Sequence, residues 1–485
     1  MSRAIEGLQP ALVWKYFAEI SRIPRCSKKE EKIRAYVLAT ARRLGLEAQA
    51  DKAGNVLVRK AASPGREDAR SVALQGHLDM VCEKNKTTKH DFSRDPIQLV
   101  REGNILRADG TTLGADNGIA VATNLAIMED RSLEHGPLEF LFTVDEETGL
   151  TGANRLAGGW LRSRTLLNLD SEEEGAVYVG CSGGRDTRGT WRLEQTAGPA
   201  SAAALRVKVG GLRGGHSGLE IDKGRGNAIK ILGRALTRLE AKGARLARLA
   251  GGNKHNAIPR EAEAVVYVPV RMVPDALRSV EEFHLIARAE LGGVDPDLTV
   301  EASVLKGMRR GKVMKPALQR ALLCAVSALP HGVTRMSADI PGLVESSTNV
   351  AVILPKGKGV TIVTSQRSSI ASELSELCET VENILLLAGA EVRHGDGYPG
   401  WKPNLDSPIL AVARSTYQSL FGKQPEVKAI HAGLECGIIG ERCPGMDMVS
   451  FGPTLEGVHS PDEKIHIDTV EKYYRFLLAI LKNVR

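Results

Sequence analysis

LEFLFTVDEETGLTGA, residues 138–153, runs an apolar stretch of strand length straight into three consecutive acids. Asp145, Glu146 and Glu147 at the end of a buried strand would repel one another and lose hydration, so a bound cation accounts for them better than a solvated tip does. TLLNLDSEEEG (165–175) repeats the construction, with Asp170 first beyond the strand and Glu172, Glu173 and Glu174 reading as a solvated turn. SVALQGHLDM (71–80) does so a third time, ending on His77 and Asp79. Chemistry-bearing residues at strand ends belong to an α/β sheet, where sites assemble at the carboxyl edge.

Residues 30–44 and 118–128 carry helical periodicity, while 71–75 and 139–144 are short apolar runs. This alternation predicts an α/β domain with a mainly parallel sheet. From about Thr187 the pattern changes to SAAALRVKVGG (201–211), a long helix expected over 227–249, the strand AEAVVYVPV, a helix over 280–291, and then NVAVIL, GVTIVT and a further helix. The tail resumes α/β character with a helix at 409–421, a strand at 446–451 and a closing helix at 470–484. The expectation is a catalytic domain formed by 1–187 and 396–485, interrupted by an inserted α+β module at 188–395.

The chain has 485 residues, 42% hydrophobic and 25% charged, a globular composition. No window approaches the ~18 consecutive apolar residues of a membrane span, and the N-terminus lacks the order of a signal peptide. A cytoplasmic protein with no membrane partner is expected. The seven cysteines are scattered without a C-x-x-C pair and read as reduced, mostly packed thiols. The net charge of +7 permits a nucleic-acid partner, but aromatics are only 4%, too few to supply stacking platforms. That charge is also localised: residues 188–393 hold 29 Lys and Arg against 20 Asp and Glu, so the remainder is slightly acidic. The helix face carrying Lys230, Arg234 and Arg238 reads as solvated.

Two further segments offer ligands. Asp116 in TTLGADNGIAVATNLAI (111–127) lies among glycines at a helix head, where an N-cap Asp is the plainer account. His459 lies in a loop after the strand of MDMVSFGPTLEGVHSPDEKIHI (446–467). Likewise H-x-D at His77 and Asp79 alone fits a polar loop equally well. In combination they supply two His, several carboxylates and no thiol, a set suited to a paired divalent site. Two divalent ions against Asp116, Glu147 and Asp170 leave one positive charge, which a shared hydroxide balances; ions ~3.5–4 Å apart acidify its parent water and polarise a carbonyl. Glu146, beside Glu147, suits the proton transfers. Metal-assisted amide hydrolysis follows.

HLDMV, GADNGIA, DEETGLTGA, NLDSEE, GGHSG, NAIPRE and GVHSPDE, in that order, make the chain similar to the di-zinc aminoacylase/carboxypeptidase superfamily. Within it the chain resembles the aminoacyl-histidine dipeptidase branch, over nearly its whole length. The resemblance implies two divalent ions, zinc foremost and cobalt or manganese as substitutes. It implies His77, Asp116 and Asp170 on one ion and Asp116, Glu147 and His459 on the other, with Asp116 bridging and the peptide bond after it cis. Glu146 would be the general base and Asp79 would orient His77. In the inserted module, His216 would stabilise the oxyanion, and Asn256, Arg367 and Gly433 would hold the substrate's C-terminal end, with His431 and Glu435 nearby. The implied activity is hydrolysis of short unblocked dipeptides, preferentially Xaa-His, by a homodimer paired through the inserted lid. An N-acyl amino acid deacylase, or an aminopeptidase or tripeptidase of the same superfamily, is the alternative.

Overall fold

The computed structural model describes residues 3–307 and 311–485. The chain forms two compact units: Met1–Cys181, Trp401–Ala429 and Leu434–Arg485 make the first, and Ser182–Gly400 with Ile430–Gly433 the second. The inserted module expected at 188–395 therefore begins at Ser182 and ends at Gly400. It also takes in Ile430–Gly433, because the Ser182 N–H donates to the carbonyls of Ile430 and Ala432.

The first unit is built on an eight-stranded mixed sheet. Its four central strands, Leu138–Thr143, Val72–His77, Thr165–Asn168 and Asp447–Ser450, are mutually parallel. Outside them pairing turns antiparallel, as between Val56–Lys60 and Leu138–Thr143. The first three of these strands are buried along their length, which is why they read as largely apolar runs rather than alternating ones. Parallel pairing sets Val72 opposite Leu138 and His77 opposite Thr143, so the chain segments after these strands emerge at one edge. The helix Ala115–Glu129 buries nearly its whole circumference, which its small residues allow. The closing helix Ile467–Asn483 buries Val470, Tyr473, Leu477 and Ile480 at helical spacing, and Phe476 stacks against Tyr417 and Phe451.

Cys26 and Cys82 form a disulfide, correcting the expectation of seven reduced thiols. The fold brings their segments together through a parallel bridge between Cys26 and Met80, a contact that the spacing of 56 residues does not announce. Cys181, Cys378, Cys436 and Cys443 are free and buried, and Cys324 is free and exposed. Among the described residues, no helix is long and apolar enough to cross a membrane.

The second unit is a nine-stranded antiparallel sheet packed by helices Ala228–Glu240, Val273–Leu291, Pro316–Ala328 and Ala371–Leu387. The long helix expected over 227–249 stops at Glu240. Gly243 turns the chain at positive φ, and Arg245–Gly251 is a strand. A β-bulge between Leu246 and Arg248 puts buried Leu246 and Leu249 three residues apart, which mimics a helical period. The basic stripe on Ala228–Glu240 is engaged within the unit rather than simply solvated. Lys230 Nζ donates to the carbonyls of Val326, Ser327 and Leu329, each at 2.7 Å, satisfying the end of helix Pro316–Ala328. Arg234 pairs with both oxygens of Glu290, and Arg234 and Arg238 lie over the Phe283 ring.

The same unit carries a pH liability. Burial, helped by the Lys230 charge, pushes the imidazole of His331 down to about 4 from its ordinary 6.5. The folded form thus holds His331 neutral where the unfolded chain would protonate it. Its stabilising contribution is complete above pH 6.5 and is lost as pH falls toward 4. The loss amounts to about 3 kcal/mol at most. His331→Gln is expected to flatten the fall in unfolding midpoint between these pH values, measured by thermal denaturation. A parent-like slope would show that His331 is not responsible.

Candidate active site

The first unit gathers His77, Asp116, Glu147, Asp170 and His459 at the carboxyl edge of its parallel strands. His77 Nε2 lies 3.1 Å from Asp116 Oδ1 and 3.4 Å from Asp170 Oδ1. His459 Nε2 lies 3.1 Å from Asp116 Oδ2 and 2.9 Å from Glu147 Oε2. Asp116 therefore offers one carboxylate oxygen to each side. The sets His77, Asp116, Asp170 and Asp116, Glu147, His459 each bring their ligand atoms within 4.8 Å of one another, as could hold a metal ion.

Backbone geometry explains how these residues reach one place. The bond between Asp116 and Asn117 is cis, and the Asn117 side chain accepts from the His77 N–H and donates to the Leu169 carbonyl. Asn117 thereby ties the ends of two strands together. Gly76 makes room for it, since a Cβ there would lie 2.5 Å from Asn117 Oδ1. Asp145 turns the chain in the left-handed region, φ 52°, starting the short helix Glu146–Gly149. Its two first acids are held by Asp79, whose carboxylate oxygens accept from the N–H groups of Glu146 and Glu147 at 3.0 and 3.2 Å. Asp79 Oδ1 also lies 3.4 Å from His77 Nδ1. That nitrogen is 3.2 Å from the Asp79 carbonyl as well. Acceptors on the Nδ1 side place the ring proton there and leave Nε2 facing Asp116 and Asp170.

The electrostatics are those of a carboxylate cluster short of positive charge. Burial, followed by the Asp170 and Glu435 charges, holds Glu146 well above the usual carboxylate range. Burial, reinforced by Asp116 and Glu147, lifts Asp170 to about 6. Burial opposes charge on His77, but Asp170 and Asp116 outweigh it and hold the ring well above its ordinary value. Hydrogen bonds that His459 donates to the Asp116 and Glu147 carboxylates lift its imidazole to about 11. Among the described residues, Glu147 Oε1 and Asp170 Oδ1 are buried without a hydrogen-bond partner, acceptors that a cation would satisfy. The residues present fit two divalent ions.

A buried polar layer lies one step beneath the ligands. Gln75 donates to Glu435 Oε2 and Thr143 Oγ1, Thr143 donates to the same Glu435 oxygen, and Asn168 joins Gln75 to Ser450. Gln75, Thr143 and Asn168 each stand two residues before His77, Asp145 and Asp170, hence on the same face of their strands. That spacing was the available signal, a polar residue near the end of each apolar run. Glu435 is fully buried, and burial lifts its carboxyl to about 7. Glu172 is solvent-exposed beside the site, as the expected solvated turn had it.

The second unit holds His216, Asn256, Arg367 and Gly433. Gly215–His216 pairs with Ala257–Ile258, setting Asn256 beside His216, and the Ser217 N–H donates to the Asn256 carbonyl. Gly214 and Gly215 both take positive φ to make that turn. His216 Nδ1 accepts from the N–H groups of Gly218 and Leu219 at 3.2 and 3.1 Å, so the neutral ring carries its proton on Nε2. Arg367 is buried, its Nη1 donates to Tyr398 Oη at 2.7 Å and its Nε has no hydrogen-bond partner among the described residues. Gly433 backs onto the Tyr398 ring, which a Cβ would approach to 2.9 Å. His431 joins them through Ser347 Oγ at 2.7 Å, and burial, then Arg367, pushes its imidazole down to about 3. Tyr398 is the member of this group with no sequence signal, since a lone Tyr in a Gly-rich loop announces nothing.

Residues 73–483 match the family described as Peptidase family M20/M25/M40. The cytosol non-specific dipeptidase of Escherichia coli K12 is 42% identical over 483 residues, covering 99% of both chains. Aminoacylhistidine dipeptidase from Vibrio alginolyticus, a crystal structure, superposes with a TM-score of 0.90 at 42% identity, covering 99% of this chain and 98% of that one. The aminopeptidase PepT from Bacillus cereus, at 16% identity and a TM-score of 0.57 over 98% of this chain and 99% of that one, shares the fold.

Proposed function

The chain belongs to the peptidase family M20/M25/M40, and from that membership together with the site geometry we propose that it is a metal-dependent dipeptidase acting on short unblocked dipeptides, Xaa-His foremost. The observation that carries the reading is the shared Asp116 carboxylate, with one oxygen toward His77 and the other toward His459. The names of the relatives from Escherichia coli and Vibrio support the substrate class.

His77, Asp116 and Asp170 would hold one divalent ion, and Asp116, Glu147 and His459 the other. Zinc is the proposed metal, because the donors are imidazole and carboxylate; cobalt and manganese suit the same set. Bound there, the ions would polarise the scissile carbonyl and acidify the attacking water. Glu146 is the general base: it takes the water proton and delivers it to the departing amine nitrogen. Its backbone is fixed by Asp79, and its half-buried carboxyl, held above the usual carboxylate range, favours accepting a proton. Asp79 is assigned to orienting His77. His216 Nε2–H is assigned to the oxyanion, a role its tautomer suits. Arg367, with Asn256 and the backbone at Gly433, is assigned to the substrate carboxylate, which a guanidinium grips with two parallel hydrogen bonds. We further propose cytoplasmic location and a homodimer formed through the second unit, with the catalytic and lid roles divided between the two units.

Two measurements test this reading. Ala-His, Gly-Gly-Gly and N-acetyl amino acids are compared by amine release. Turnover of Ala-His is expected to dominate, and efficient turnover of only the acetylated compounds would replace the dipeptidase by the deacylase. Arg367→Lys keeps the charge but loses the planar fork. It is expected to raise KM about tenfold or more with a smaller change in kcat, since a charge-assisted hydrogen bond contributes about 1.5–3 kcal/mol. An unchanged KM would remove Arg367 from substrate binding.

A further inference from the structure

Two fully buried side chains of opposite charge, Arg25 and Glu463, are each 2% exposed, and neither belongs to the groups assigned so far. Each spends its hydrogen bonds on backbone. Glu463 Oε2 accepts from the N–H groups of Leu113 and Gly114 at 2.8 and 2.9 Å, and Oε1 accepts from those of Ala115 and Asp116 at 2.7 and 3.2 Å. Four consecutive amides therefore converge on one carboxylate. Arg25 works from the opposite charge: Nη1 donates to the carbonyls of Leu78 and Asp79 at 3.2 and 3.0 Å, and Nη2 donates to the carbonyl of Gly114. Gly114 and Gly118 admit the guanidinium, since a Cβ at either would lie 2.5 or 2.6 Å from Nη2.

The bonded segments are those that carry the proposed ligands. Leu78 and Asp79 follow His77, Leu113–Ala115 lead into Asp116, and Glu463 sits four residues after His459. We propose that Arg25 and Glu463 are positioning residues that preset the Asp116 carboxylate between the His77 and His459 loops, so that the site is formed before metal arrives. The inference rests on the two-metal reading above. Its chemistry is specific: a carboxylate is the one side chain that can accept from four amides at once without presenting a donor, and a guanidinium is the one that spans three carbonyls in a plane. Outer partners of this kind, when removed, typically cost about 10- to 100-fold in metal affinity or activity.

The test measures zinc affinity of the metal-free chain by competition with a chromogenic chelator, beside thermal unfolding without metal. Glu463→Gln turns an amide donor toward two of the four N–H groups, and Arg25→Lys reduces the span to a point charge. Each is expected to weaken zinc binding about 10- to 100-fold, and at saturating zinc to lower kcat more than it raises KM. Glu139→Gln is the control, because Glu139 is equally buried and accepts from the N–H groups of Arg162 and Ser163 at the far end of its strand. It is expected to lower the unfolding midpoint with zinc affinity unchanged. Parent-like zinc affinity in Glu463→Gln and Arg25→Lys, or an equal loss in Glu139→Gln, overturns the proposal. Should neither variant fold, amide exchange in the metal-free parent decides: protected amides at residues 113–116 support a preset loop, and rapid exchange there overturns it. A parent chain that binds no zinc instead sinks the two-metal reading, a separate outcome.

Discussion

Glu146→Gln is expected to lower dipeptide turnover roughly 10²- to 10⁴-fold, the usual worth of a positioned general base, while metal content stays near the parent's. The amide is isosteric and keeps the backbone bond from the Glu146 N–H to Asp79, so the short helix and its neighbour Glu147 stay in place. What is lost is the ability to accept a proton and pass it on. Elemental analysis and initial rates on the same preparation give the answer. Loss of metal together with activity would make Glu146 a ligand, and parent-like turnover would remove it from proton transfer.

Asp116→Asn is expected to do the opposite, emptying the site and abolishing activity with it. Both oxygens of Asp116 are committed, one toward each imidazole at 3.1 Å. An amide keeps one acceptor and places a donor at the other position, so at least one side loses its shared ligand. Metal content is expected to fall below two per chain, with turnover below detection. Because the Asp116 N–H remains bonded to Glu463, the loop itself is expected to survive, and circular dichroism should match the parent. Two tightly bound ions in Asp116→Asn would contradict the bridging assignment.

The ligand candidates were legible because each follows an apolar run that could be read as a buried strand, or opens a helix after a glycine. Their pairing was not, since spacing alone cannot say that Asp116 faces both His77 and His459; the family resemblance supplied that expectation. Arg25 and Glu463 escaped for a physical reason. Their partners are backbone groups, which every residue possesses, and for Glu463 these lie about 350 positions earlier in the chain. The Cys26–Cys82 disulfide escaped similarly, as its two segments are held side by side by backbone contacts, the bridge between Cys26 and Met80 and the Arg25 bonds to the Leu78 and Asp79 carbonyls. The helix expected through Leu249 failed because a bulge shifted strand alternation by one residue. Gln75, Thr143 and Asn168 could have been found, for a polar residue two places before the first chemistry-bearing residue of a strand end is a visible interruption.

Stepwise return of zinc to the metal-free chain, with Ala-His hydrolysis and bound metal measured on the same samples, tests whether two divalent ions switch the site on. Activity is expected to be absent without metal, to rise with added zinc and to level off at two ions per chain. Full hydrolysis by a chain shown to hold no divalent metal would contradict the account.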